Sequence, residues 1–441
     1  MSVLCLRAPV HLAAAAILWL TGAGSSLAQP PSPASEPELT LDAVIASALA
    51  QHPLIAAARA RVEAARGTAR QTALWPNIVG TYWLENAALH GTSPTGLDRE
   101  SSAYATVPLE PLYQRGPRVA HASQYVAAAE ATAEMVRRQV ANDAARAFFR
   151  VAMAQASVEA AEEDCANLEQ LVAFNEARVR EGAAPEGDLI RVRVEMDRSA
   201  TDLVLAEVEL TRARGELWLF VGTGPLTGRS PDMLRVRSPA TGDLRDSPAP
   251  LGELLKTATT SRPEVLSARA RVASATASAE YEGRLSVRQL GGTFGIKNTA
   301  GQRSMIAGVS VTLPLFDRNQ GAVQRATADR VAAEQELAWA TRTVSAEVQT
   351  SFAAAERLRA RAADVQDTVV ERAESARAVA LAAYREGATT VLQVIDASRA
   401  LAEARLSSAR LLLAERQSRF DVLMGSGSDP VSIRIDERRM R

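Results

Sequence analysis

The chain has 441 residues and carries 50 lysine and arginine residues against 51 aspartate and glutamate residues, a formal net charge of −1. This balance argues against a nucleic-acid partner and against attraction to an anionic membrane surface. Aromatic residues make up only 4% of the chain and alanine is abundant, a composition that suits long helices packed through small side chains better than one large globular core.

The N-terminal segment is typical of a secretory signal. A basic residue precedes an apolar stretch over 12–20, and small residues follow up to Ala28, so we expect a signal peptide over 1–28. The apolar stretch is shorter than the ~20 residues of a membrane-spanning helix, and a buried N-terminal helix is the alternative. Cys5 precedes the stretch and so cannot be lipidated, and cleavage leaves Cys165 as the single cysteine, without an intramolecular disulfide.

The segment after the signal contains four prolines over 29–38, which predicts a short disordered leader. No later segment is apolar enough for a transmembrane helix. Any membrane span therefore has to be built from strands.

The remainder of the chain contains an internal duplication. Four short segments recur in the same order at a nearly constant spacing: 58–62 as 268–272, 107–109 as 313–315, 126–128 as 331–333, and 180–183 as 385–388. Ordered matches of this kind indicate two structural repeats. We predict a first repeat over 39–222, a linker rich in Pro, Gly and Ser over 223–250, a second repeat over 251–425, and a C-terminal tail over 426–441.

Each repeat is predicted to contain a short helix, two paired strands, and two long helices joined at a tip. The predicted strands cover about 77–87, 101–110, 286–298 and 303–313, and the predicted long helices cover about 116–181, 187–221, 320–385 and 389–424.

The long helix of the second repeat has the clearest pattern. Neither Gly nor Pro interrupts residues 322–386, which permits a helix of about 65 residues, near 100 Å long at about 1.5 Å per residue. Small and apolar residues follow a heptad stripe that includes Leu337, Val344, Val348 and Val379. This stripe predicts a coiled-coil packing face.

The predicted strands alternate between an apolar and a polar or small face. The apolar positions are 78, 82 and 84 in the first strand, 103, 105 and 107 in the second, 290, 294 and 296 in the third, and 305, 307, 309 and 311 in the fourth. This is the pattern of a barrel with lipid outside and water inside, although a half-buried sheet of a water-soluble protein would show it too. Four strands cannot close a barrel, so we expect other copies of the chain to complete it.

The sequence carries no recognisable catalytic or metal-binding motif. The four histidines, His11, His52, His90 and His121, lack zinc-ligand spacing. Neither a Walker loop nor a nucleophile elbow is present. We therefore expect neither an enzyme nor a cofactor or metal site.

Taken together, the duplicated long helices, the two strand pairs, the export signal and the Arg-Glu-Gly-Ala tips at 180–183 and 385–388 resemble the TolC-type outer-membrane efflux channels. The resemblance covers residues 39–425. The segment 313–321, Leu-Pro-Leu-Phe-Asp-Arg-Asn-Gln-Gly, is similar to the CzcC-like branch, which serves heavy-metal pumps.

That resemblance implies a mainly α fold with a small β part. Three chains would form a homotrimer with a twelve-stranded β-barrel in outer-membrane lipid and a long coiled-coil helical barrel across the periplasm. An inner-membrane pump of the resistance–nodulation–division type would deliver substrate through a periplasmic adaptor (membrane fusion) protein.

The resemblance also implies a periplasmic gate near the tips. Asp188, Tyr384 and Asp396 match gate positions of the family, while Gln393 stands where the family has a second acidic residue and Thr389 where some members have arginine. For the two aspartates the alternative is an ordinary solvated acid near a helix start.

Small residues mark both tips, Gly182-Ala183 and Gly387-Ala388, where an adaptor hairpin could approach closely. The alternative is that glycine merely permits the turn. Two other functions remain open at this point: a non-conducting periplasmic tether, and a channel for organic compounds or polypeptides. A periplasmic adaptor would carry one helical hairpin, whereas this chain has two.

Overall fold

The computed structural model describes residues 38–87, 98–222, 230–237, 249–286, 289–365 and 368–429, with the side chains of 363–365 excepted. The helices are α1 (Leu41–Gln51), α2 (Pro53–Ala73), α3 (Pro111–Arg180), α4 (Glu186–Val221), a 3-10 turn (Pro231–Met233), α5 (Leu251–Ser261), α6 (Pro263–Arg284), α7 (Gln320–Val365), α8 (Val369–Arg385) and α9 (Val391–Gly425). The strands are β1 (Val79–Glu85), β2 (Glu100–Pro108), β3 (Leu290–Thr299) and β4 (Gln302–Val311).

The element order repeats once along the chain, as the duplication predicts: a short helix, a second helix, two strands, and a long helical hairpin. The predicted signal peptide, nearly all of the leader, His11, His90, most of the linker and the tail beyond 429 lie outside the described residues. Where the structure describes the chain, no single helix is long and apolar enough to cross a membrane, and only the pair α1 and α2, bent by 42°, passes that test jointly by length and composition.

Helix α3 has 70 residues, which corresponds to about 105 Å. It begins at Pro111, five residues before the predicted start near 116, and Pro117 lies inside it. A proline lacks the N–H that would bond the carbonyl four residues earlier. That carbonyl, on Tyr113, accepts a hydrogen bond from Arg284 Nη1 at 3.0 Å instead, and so the helix tolerates Pro117.

The structure describes the predicted long helix over 320–385 as two helices. Helix α7 ends at Val365 and α8 begins at Val369, while 366–367 lie outside the described residues. The sequence here, Asp-Thr-Val-Val over 367–370, consists of weak helix formers.

The buried positions differ between α7 and α8. Val344 and Val348 of the predicted heptad stripe are buried in α7, whereas Val379 in α8 is 69% exposed and Tyr384 is buried instead. The predicted stripe therefore does not continue as one buried face through α8 within a single chain.

The four strands form one antiparallel sheet in the order β1-β2-β3-β4. One row of the register across the sheet contains Tyr82, Ala103, Ile296 and Met305. Because cross-strand partners share a face, the apolar positions of all four strands lie on one side, as the alternation predicts. The outer edges of β1 and β4 have no strand partner in the part of the chain that the structure describes.

The largest apolar core surrounds the middle of α3 and contains Phe148 together with Phe420 of α9. The linker contacts this core at Val236. The backbone of Val236 forms two hydrogen bonds with the Gln155 side chain (2.9 and 3.1 Å) and a β-bridge with Leu39. This core fixes the base of α3–α4 (the first hairpin) and the C-terminal part of α9. The N-terminal part of α9 pairs with α8 (α8–α9, the second hairpin), and the tips of the two hairpins carry the candidate site.

Candidate functional site at the helix tips

The two tips have the same backbone geometry. Gly182 and Gly387 have φ values of +69° and +77°, which favour glycine. The N–H of Ala183 bonds the Arg178 carbonyl at 2.8 Å, and the N–H of Ala388 bonds the Ala383 carbonyl at 2.8 Å. Together with bonds from the glycine N–H groups to Val179 and Tyr384, these contacts form two Schellman motifs. The glycines are thus required by the turns, and both alanines are exposed.

Tyr384 connects the second hairpin to the first within one chain. Its side chain is 3% exposed and its hydroxyl donates to Asn175 Oδ1. The Arg178 guanidinium lies 4.9 Å from the centre of the ring, and the Phe174 ring packs edge-on at 6.0 Å. Burial raises the pKa of the Tyr384 hydroxyl, which therefore stays protonated and acts as a donor at neutral pH.

An apolar cluster surrounds this contact and packs the two hairpins together. Its buried members are Leu168, Leu171, Val192, Tyr384, Val391, Val394 and Ile395. The tips are therefore held by packing as well as by hydrogen bonds.

The predicted acidic residues lie on the surface of the same region. Asp188, in the first turn of α4, is half-buried, and its charge further raises the pKa of Tyr384. Asp396 is exposed on α9. Neither carboxylate has an ion-pair partner among the residues described, so both charges are available to solvent or to another chain. Gln393 is exposed, and its side-chain oxygen accepts a hydrogen bond from Thr389.

A group of polar contacts between helices near the tips was not predicted. Arg399 of α9 forms a bidentate ion pair with Glu195 of α4, which is only 8% exposed. These hydrogen bonds hold the pKa of Glu195 below its usual value. One turn further along α4, within the first hairpin, Ser199 donates to Asp164 of α3 at 2.6 Å, and burial raises the pKa of Asp164.

One sequence signal could have indicated these polar contacts. Val192, Glu195 and Ser199 follow the three- and four-residue spacing of a buried helix face. A glutamate at such a position needs a cationic partner, although the partner on a helix 204 residues away is set by the tertiary fold.

No group of three or more His, Cys, Asp or Glu side chains within the described ranges is arranged to hold a metal ion. The arrangement joins the two hairpins and presents an exposed carboxylate on Asp396.

Comparison with known proteins agrees with this geometry. The family described as outer membrane efflux protein matches residues 44–223 and 254–424. The cobalt-zinc-cadmium resistance protein CzcC of Cupriavidus metallidurans is 27% identical over 382 residues, which cover 83% of this chain and 85% of that protein.

Two solved structures share the fold. CusC, described in connection with transmembrane channel formation, superposes with a TM-score of 0.75 at 21% identity over 88% of this chain and 92% of CusC. The outer membrane protein VceC of Vibrio cholerae superposes with a TM-score of 0.72 at 19% identity, over 88% of this chain and 96% of VceC.

Proposed function

This chain belongs to the outer membrane efflux protein family, and on that premise we propose that it is the outer-membrane channel subunit of a tripartite efflux system. Three copies form a homotrimer that conducts substrate from the periplasm to the exterior. The protein acts as a conduit and catalyses no reaction, and it needs no cofactor.

The sheet carries this proposal. It is open at β1 and β4, and one of its faces is apolar along all four strands. In a membrane, unpaired backbone groups at an edge cost several kcal/mol each. Pairing of each β4 with the β1 of the next copy removes both edges and closes a twelve-stranded barrel with lipid on the apolar side.

The helices support the same assembly. Exposed apolar residues follow α4 at helical spacing, among them Ile190, Val194, Leu205 and Val208. Trp339 of α7 and Val379 of α8 are exposed as well. The apolar stripe of α4 and these exposed apolar side chains fit packing against neighbouring copies in a closed ring. At about 105 Å, α3 is long enough for a periplasmic tunnel.

The substrate class follows from the relative named for cobalt-zinc-cadmium resistance. We expect the system to export heavy-metal cations, with organic compounds or polypeptides as the alternative cargo. A strain lacking this chain should lose resistance to cobalt, zinc or cadmium and regain it on complementation. Sensitivity to organic toxicants alone would support the alternative.

Conduction itself separates a channel from a structural tether. The purified protein in a planar bilayer should give discrete ion-conducting steps. A correctly assembled protein that never conducts, even with its tip contacts removed, would favour the tether.

The tips are the proposed docking surface for the periplasmic adaptor, which connects the channel to a resistance–nodulation–division type pump. Ala183 and Ala388 are exposed beside their turn glycines, so Ala183→Trp with Ala388→Trp should abolish efflux without loss of the assembled oligomer. Ala360→Trp, at an exposed site of α7, is the control for adding a bulky side chain. Full resistance in the tip variant would contradict docking there.

A further inference from the structure

Three charged side chains lie together at the end of the sheet away from the helices. Glu85 and Glu100 are directly opposite each other on β1 and β2. Lys297 of β3 lies two rows further in, opposite Ser102. Register and alternation place all three on the polar face of the sheet.

The charges in this group do not balance. Lys297 Nζ lies 2.5 Å from Glu100 Oε2, and the Thr299 hydroxyl donates to Glu100 Oε1 at 3.3 Å. Glu85 has no ion pair or hydrogen bond among the residues that the structure describes. Like charges directly opposite each other destabilise a strand pair, and a single ammonium group serves two carboxylates, so each chain has one uncompensated negative charge here.

The other face of the sheet differs at the same height. Arg303 of β4 is opposite Asn298, in the row adjacent to Thr299 and Gln302, and therefore on the apolar face. The positive charge of Arg303 therefore lies on the face of the sheet opposite to Glu85, Glu100 and Lys297. The polar face keeps the excess of carboxylates.

We propose that Glu85, Glu100 and Lys297 form a charged ring at the outer mouth of the channel and that this ring contributes to its preference for cations over anions. The inference rests on the proposed trimeric channel, in which the polar face lines the lumen. Three copies place three excess negative charges around one axis, and such rings select ions by sign in other pores. Glu85 supplies the excess negative charge, and the positive charge of Lys297 reduces the total.

The size of the effect can be estimated. A carboxylate about 10 Å from the axis of a barrel of this strand number acts on a permeating ion through water, with a screening length of about 10 Å at 0.1 M salt. Neutralising three such charges should lower the cation-to-anion permeability ratio about fivefold at 0.1 M salt, and the effect should shrink at 1 M salt.

Reversal potentials under a salt gradient, recorded with the intact protein in a planar bilayer, test the ring. Glu85→Gln should lower the permeability ratio and Lys297→Gln should raise it, since the two variants change the ring charge in opposite directions. Arg303→Gln is the matched control, because it removes a charge at the same height from the opposite face and should leave the ratio unchanged.

Block of the wild-type channel by a trivalent cation is a second test of the ring. Lanthanum(III) added on the barrel side should block the wild-type channel, and the block should weaken in Glu85→Gln but persist in Arg303→Gln. A conducting wild-type channel without this block, or equal permeability ratios in the glutamate and lysine variants, overturns the ring alone. A wild-type protein that conducts no ions overturns the channel function and the ring with it.

Discussion

Replacement of Tyr384 by phenylalanine should loosen the contact between the two hairpins. The substitution keeps the ring and removes the hydroxyl that donates to Asn175 Oδ1. Asn175 is fully buried, and its Nδ2 already donates to the Leu171 carbonyl at 2.9 Å. The amide therefore cannot turn to find another donor without losing that bond.

The expected cost follows from the buried acceptor. An unsatisfied polar group in the interior costs about 1–3 kcal/mol, which corresponds to a change of roughly 5- to 150-fold in an equilibrium constant. If the contact holds the tip closed, the open fraction of Tyr384→Phe channels should rise by a factor in this range. Single-channel recording at neutral pH measures it.

Two further variants make the reasoning testable. Tyr125→Phe removes a hydroxyl from a side chain that is 54% exposed and should leave the open fraction unchanged. Adding Asn175→Leu to Tyr384→Phe replaces both partners by apolar groups and should recover part of the loss. If the open fraction of the Tyr384→Phe channel equals that of the wild type, the hydrogen bond between Tyr384 and Asn175 does not hold the tip closed.

Other substitutions test separate parts of the molecule. Three Asp396 carboxylates around a constriction should attract cations, so Asp396→Ala should weaken cation selectivity and relieve block by trivalent cations added on the helix side; unchanged traces would remove Asp396 from the gate. At Gly295 a Cβ atom would lie 2.3 Å from Tyr104 Cβ, so Gly295→Ala should impair barrel assembly in a heat-modifiability gel, whereas Gly308→Ala, with nothing within 4 Å, should not. Burial raises the pKa of Asp164, so the folded state holds this proton more tightly than the unfolded state, and stability falls as pH rises through the folded pKa. Asp164→Asn should therefore raise the unfolding temperature at pH 7 and have less effect near pH 4; an equal shift at both pH values would contradict the assignment.

The sequence was sufficient to predict the features that depend on a local or periodic pattern. Period-two alternation correctly predicted which residues share the apolar face of the sheet, because side-chain direction in a strand depends only on position. The glycines at 182 and 387 were predictable as turn residues, since a Schellman motif needs a positive φ at one position.

Long-range contacts account for what the sequence did not predict. Pro117 is compatible with α3 only because Arg284, from another helix, reaches the carbonyl left without a donor. The partners of Tyr384 and Glu195 lie on helices that are distant in the chain. Neither composition nor spacing identifies such partners without the fold.

The difference in buried positions between α7 and α8 shows a different limit. A heptad stripe extrapolates correctly only while the helix is continuous. Here the stripe is buried in α7, whereas in α8 Tyr384 packs against the first hairpin.

The mass of the assembled particle tests the central claim most directly. Protein extracted from the outer membrane in mild detergent and measured by native mass spectrometry should correspond to three chains, because the open edges of β1 and β4 need partners. A stable, folded particle containing one chain would contradict both the shared barrel and the shared tunnel.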